Sequence, residues 1–122
     1  MRQFGELEAV VMDRLWSRAE PATVREIRTD VNEERPVAYT TVMTVMDNLH
    51  RKGFLDREKA GRAWRYRPVK TREEYTADLM REVLDSGADR DATLVHFLGS
   101  MSHTEVGDLK AMLERATRRQ KP

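Results

Sequence analysis

Thr40, Thr41, Met43 and Thr44 fall close together, and eight basic residues follow within twenty positions: Arg51, Lys52, Arg57, Lys59, Arg62, Arg65, Arg67 and Lys70. Only Asp56 and Glu58 oppose them there, a local surplus of six positive charges in a chain of net charge +1. Threonine hydroxyls donate to phosphates or base edges, and a threonine or methionine methyl fits against the thymine C5 methyl. Arginine and lysine neutralise phosphates without reading sequence. A charge-balanced chain with one concentrated basic segment carries a localised anion-binding face. These residue types imply recognition of double-stranded DNA. Thr40, Thr41, Met43 and Thr44 are the candidates for base contact. Tyr39, Arg51, Lys52, Lys59, Arg62 and Arg65 are the candidates for backbone contact.

Such residues need a rigid mount, and the surrounding pattern supplies one. At about 100° per residue, Val42, Val45, Met46 and Leu49 gather on one side of a helix from about residue 39 to 52. Thr40, Thr44, Asp47, Asn48 and Arg51 gather on the other. Threonine is a poor helix former, so three within five positions of an exposed face need a reason beyond helix stability. Ala38 stands where a capping Ser or Asp is expected, and Gly53 stands where a helix stops. Residues 54–59 and 62–68 read as strands around an Ala60-Gly61 turn. Trp64 and Tyr66 share one strand face and are expected to pack against the third helix; Ala63, Arg65 and Arg67 share the other. Upstream, apolar spacing predicts a helix over about 6–17, and the Thr23–Glu26 capping box opens a second over about 24–33. Helix, helix, helix, hairpin is the order of a winged helix within a mainly α chain.

Beyond residue 70 the pattern is helical. Capping boxes at Thr71–Glu74 and Ser102–Glu105 open two helices, with a short apolar one between. Tyr75, Leu79, Val83, Phe97, Leu98, Val106, Leu109, Met112 and Leu113 form apolar stripes. About fifty residues cannot build a stable core alone, so these stripes are expected to meet a second copy of the chain. Two modules follow: a DNA-binding domain over 1–70 and a helical dimerisation domain over 71–122.

Several function classes are disfavoured. The chain of 122 residues has no cysteine, which removes disulfides, thiolate metal sites and cysteine nucleophiles. His50, His96 and His103 lack partners at helical metal spacing. No Gly-rich phosphate loop or nucleophile–base–acid ordering is present, so neither enzymatic activity nor a cofactor is expected. No apolar run reaches eighteen residues. The opening MRQFGELEAVV has acids within its apolar stretch and no small-residue cleavage site, so a cytoplasmic location is expected. Two rival readings use the same residues: a winged helix that binds an acidic protein, and a small-ligand-sensing regulator.

LEAVVMDRLW (7–16), TVREI (23–27) and YTTVMTVMDNLHRKGFLDREKAGRAWRYRP (39–68) resemble the BlaI/MecI family, the bacterial penicillinase and methicillin-resistance repressors. The resemblance implies a homodimer with an N-terminal winged helix and a C-terminal helical dimerisation module. It implies binding to dyad-symmetric promoter operators, expected to serve β-lactam-response genes. It further implies relief by proteolysis in the C-terminal module, triggered by a membrane-bound sensor protease. Staphylococcal members are cut between an asparagine and a phenylalanine; the corresponding pair here is His96-Phe97. The family's Ser-Pro-Lys-Thr start to the recognition helix is here Ala38-Tyr39-Thr40-Thr41, so only the final threonine matches.

Overall fold

The computed structural model describes residues 4–120. Its elements run α1 (Glu6–Trp16), β1 (Ala22–Thr23), α2 (Val24–Asn32), α3 (Tyr39–Arg51), β2 (Leu55–Ala60), β3 (Ala63–Pro68), α4 (Arg72–Ser86), α5 (Arg90–Gly99) and α6 (His103–Gln120). They divide into two units, with the boundary between Leu79 and Met80.

In the first unit the apolar faces of three helices close on one another. Val11, Met12 and Leu15 of α1 meet Val24, Ile27 and Val31 of α2 and Val42, Met46 and Leu49 of α3 in one buried cluster, completed by Phe4, Ala22, Leu55 and Tyr66. The Thr23–Glu26 capping box forms as its sequence demands: the Glu26 amide donates to Thr23 Oγ1 at 3.2 Å and the Thr23 amide to Glu26 Oε1 at 2.9 Å. Gly53, at φ 89°, turns the chain out of α3. The two later strands form a hairpin whose turn is Gly61-Arg62, one residue beyond the turn expected from sequence, with Gly61 at φ 66°.

One strand escapes sequence reading. Ala22 and Thr23 pair antiparallel with Tyr66 and Arg65, giving a three-stranded sheet of order β1-β3-β2. Two residues are too few to show alternation, and Thr23 already serves as a helix cap. This pairing anchors the hairpin root on the helical core.

The first unit also claims the start of α4. Tyr75 stacks on Phe4 with ring centroids 4.6 Å apart and lies 5.4 Å from Trp16 and 6.0 Å from Phe54. The Trp16 indole N–H donates to the Lys70 carbonyl at 2.9 Å. Sequence spacing assigns Tyr75 to a subunit interface and ends the first module at residue 70. The aromatic cluster engages Tyr75 within its own chain, and this unit runs on to Leu79.

The second unit holds α5, α6 and the end of α4. Asp89 caps α5 by accepting from the Ala92 amide at 3.0 Å, and Ser102 with Glu105 forms the expected box at the head of α6. No residue of α4, α5 or α6 is buried. Among the described residues, no helix is long and apolar enough to cross a membrane.

Candidate nucleic-acid interface

The exposed side of α3 carries Tyr39, Thr40, Thr41, Met43, Thr44, Asn48 and Arg51, while Val42, Met46 and Leu49 are buried behind them. The division is that of the helical period. The Thr44 hydroxyl donates to the Thr40 carbonyl one turn back at 3.0 Å, which leaves its methyl as the outward group. The hydroxyls of Thr40 and Thr41 make no hydrogen bond to another described residue.

The N-terminus of α3 is electrically bare. Every other helix among the described residues has Asp or Glu in its first turn. α3 has none, and Ala38 supplies no side-chain cap. Its first amides and the positive end of its dipole therefore face outward uncompensated, an arrangement that favours a phosphate.

The basic residues separate into two groups. Four have partners within the chain. Arg51 pairs with Asp47 Oδ2 at 2.8 Å and Arg57 with Asp47 Oδ1 at 3.2 Å. Lys52 pairs with Glu8 Oε2 at 2.9 Å, and Lys70 pairs with Asp78. Burial opposes the charge on Glu8, but hydrogen bonds from the Gly5 amide and Lys52 outweigh it, and the carboxyl titrates below its usual range. Lys52 is thus a strut between α3 and the head of α1 as well as a backbone-contact candidate. Arg51 is largely exposed, and its pair is a weak surface contact that a phosphate can exchange.

Lys59, Arg62, Arg65 and Arg67 form no ion pair with a described residue. Arg62 lies in the turn at the hairpin tip, and Lys59 lies over the Trp64 ring at 4.8 Å. Arg65 sits opposite Glu58 across the hairpin and opposite Thr23 on β1. Its charge helps lower the titration range of Glu26. Arg67 sits opposite Asp56. The wing's two acids therefore face two of its arginines, which concentrates the uncompensated charge at Lys59 and Arg62.

Trp64 and Tyr66 diverge from their shared expectation. Tyr66 is 2% exposed and belongs to the core. Trp64 is 38% exposed, two residues further toward the tip, where the hairpin outruns the helical core. Its ring packs under the guanidinium of Arg57 at 4.3 Å and the ammonium of Lys59. Asp47 is the residue whose tie to the wing sequence reading passes over. On a helical wheel it is one more polar residue on the exposed face, and only the folded hairpin brings Arg57 to it.

Of the expected interface residues, Phe97, Leu98, Met112, Leu113 and Val83 are exposed, and Leu79, Val106 and Leu109 are half-buried. The His96-Phe97 bond lies inside α5.

Three helices, a bare recognition-helix terminus and a basic hairpin define a winged-helix, DNA-binding transcriptional regulator. Comparison narrows the class. Residues 4–115 match the model of the penicillinase repressor family. The transcriptional regulator BlaI of Mycobacterium tuberculosis is 43% identical over 117 residues, spanning 93% of this chain and 84% of the relative. The chain belongs to the penicillinase repressor family. The solution structure of the DNA-binding domain of the repressor BlaI superposes with a TM-score of 0.53 at 25% identity, over 60% of this chain and 88% of that one. A MarR family protein from Bacillus stearothermophilus shares the fold at TM-score 0.51 and 18% identity, over 97% and 76% of the two chains.

Proposed function

We propose that the protein represses transcription as a homodimer, each copy laying α3 in the major groove of one half of a dyad-symmetric operator. The observation that carries this reading is the pairing of an unneutralised α3 N-terminus with a wing whose free cations lie toward its tip. Thr40, Thr41, Met43 and Thr44 meet base edges. Tyr39 and Arg51 hold the adjoining phosphates, and Lys59 and Arg62 grip the flanking backbone. Arg65, and Lys52 once released from Glu8, extend that grip.

Dimerisation is supported by the second unit, none of whose apolar side chains is fully buried. Val83, Phe97, Met112 and Leu113 each expose more than half of their surface. Pairing two copies makes the second half-site contact intramolecular and raises affinity by about 10² to 10⁴. A cut at His96-Phe97 by a membrane-bound sensor protease would remove that gain without touching the DNA surface. Because the bond is helical, cleavage requires α5 to open first.

The test is the salt dependence of binding to palindromic duplexes selected by the wild-type protein. Each phosphate contact contributes about 0.9 to the slope of log K against log salt, so Arg62→Ala, lost twice per dimer, lowers the slope by about 1.8. An unchanged slope removes Arg62 from the DNA backbone, and a wild-type protein that ignores all such duplexes at low salt ends the reading.

A further inference from the structure

Arg57 looks from sequence like one more phosphate ligand, yet its guanidinium is enclosed on three sides. Nη1 donates to Asp47 Oδ1 at 3.2 Å and to the Tyr66 hydroxyl oxygen at 3.3 Å. The Trp64 ring covers it at 4.3 Å, and its side chain is only 24% exposed. The register explains the assembly. Arg57 lies directly opposite Tyr66, and Lys59 directly opposite Trp64, so all four side chains share one face of the ribbon. Trp64 is the diagonal neighbour of Arg57, within reach of a long side chain. Asp47 is half-buried on the polar side of α3, one turn from Met43, Thr44 and Arg51.

A carboxylate on a groove-facing helix repels the phosphates that the helix must approach. Its retention is explained if it performs a mechanical task. A two-stranded ribbon is only marginally ordered by its own hydrogen bonds, and β1 reaches no further along β3 than Arg65. Arg57, level with Tyr66 and Ala22 at the root of the ribbon, carries a hydrogen bond from β2 to Asp47 on the recognition helix, so the ribbon beyond Arg65 extends from a root that this bond orients. Arg57 is planar and donates in fixed directions, so it sets an angle as well as a distance.

We infer that Asp47 and Arg57, with Trp64 and Tyr66 as their lid and backstop, form a pin that fixes the wing at a set angle to α3, and that this pin makes Asp47 a specificity-determining residue without contact to DNA. The inference rests on the DNA-binding reading above and adds the means by which base-facing and phosphate-facing groups are held in one register. Asp47 also holds Arg51 until a well-placed phosphate exchanges for it, so the same carboxylate competes with indiscriminate duplex for two cations. The pin thereby trades indiscriminate attraction for alignment.

The consequence has an unusual sign. Were Asp47 a mere acidic residue near DNA, Asp47→Asn would tighten binding to every sequence. As a pin, its loss frees Arg51 and Arg57 and lets the wing swing. Binding to scrambled duplex then holds or tightens, while binding to the selected palindrome weakens about tenfold, so the ratio of the two collapses. Arg57→Gln removes the pin and one cation together. It weakens palindrome binding by a similar factor and leaves the salt slope within half a unit of wild type, whereas Arg62→Ala lowers the slope by about 1.8.

The experiment measures full-length wild type, Asp47→Asn, Arg57→Gln and Arg62→Ala on both duplexes by fluorescence anisotropy at several salt concentrations. Amide hydrogen exchange of the DNA-free proteins runs alongside. The pin predicts faster exchange in β2 and β3 of Asp47→Asn and Arg57→Gln, with α1 and α2 unchanged. Wing exchange equal to wild type overturns the pin whatever happens on DNA. Faster exchange with an unaltered specificity ratio, or Asp47→Asn tightening on the palindrome, overturns its role in recognition. A salt slope that falls for Arg57→Gln as for Arg62→Ala returns Arg57 to the phosphate ligands. Failure of the wild type on both duplexes ends the DNA reading, while the exchange data still judge the pin.

Discussion

Ala38 occupies the N-cap of α3 at φ −76° and ψ 147°, the extended geometry from which a side-chain oxygen reaches the amides of the first turn. Alanine has no such oxygen, so Ala38→Asp should complete a cap that the backbone already accommodates. The gain is about 1 kcal/mol for the hydrogen bond and a further 0.3–1 kcal/mol, roughly, for a carboxylate at the positive end of the dipole. A chain of this size should melt about 4 °C higher or more. The same carboxylate stands where a DNA phosphate is proposed to dock. Losing one dipole–phosphate interaction per subunit, about 0.3–1 kcal/mol each and twice per dimer, lowers operator affinity by about 3- to 30-fold. Ala38→Ser is the control, because it caps without charge; it should stabilise similarly and bind close to wild type. Thermal melts paired with anisotropy titrations at two salt concentrations decide the matter. A protein made more stable and a poorer DNA binder is the expected signature. Should Ala38→Asp melt higher and bind as well as wild type, no phosphate meets the end of α3 and the docking of the helix is wrong.

Three further outcomes are expected. Leu109→Asp places a charge among the unburied stripes of the second unit and should give monomers by sedimentation at micromolar concentration; a variant that stays dimeric refutes this interface. Gly53→Ala forces a side chain into φ 89° where no atom lies within 4 Å of the added methyl. The loss, about 1–2 kcal/mol in denaturant melts, is therefore pure backbone strain, and an unchanged midpoint would contradict it. Glu26 is held below its unfolded value of 4.5, chiefly by the Thr23 amide, with burial opposing and the Thr23 hydroxyl, Arg18 and Arg65 assisting. A depressed carboxyl stabilises above its unfolded pKa, and the contribution disappears as pH falls through the folded one. Glu26→Gln keeps the capping geometry without the charge. The wild type should melt above it near neutrality, and the gap should close as pH drops below 4.5; a constant gap would show that the charge contributes nothing.

Much of the architecture is local and therefore readable. The Thr23–Glu26, Thr71–Glu74 and Ser102–Glu105 boxes form their hydrogen bonds as written. Val42, Met46 and Leu49 are inward because a helical repeat leaves them on one side. Elements short in sequence or dependent on distant partners resist such reading. The strand Ala22–Thr23 exists only because β3 returns beside it. Tyr75 obeys the same periodicity as Leu79 and Val83, yet Phe4 and Trp16, some sixty to seventy residues earlier, determine where its ring goes.

Charge shows the division most clearly. The amino-acid order alone sets the surplus of cations between Arg51 and Lys70, the threonine side of α3 and the membership of a DNA-binding family, since each depends on residue type and short spacing. Which cations remain available is a tertiary outcome. Lys52 finds Glu8 across forty-four positions, Arg57 finds Asp47 across ten, and Lys59 and Arg62 are left without an ionic partner among the described residues. Electrostatic attraction acts through space and is largely screened beyond about 10 Å in salt solution, so only the folded chain decides which charges neutralise one another and which are presented outward.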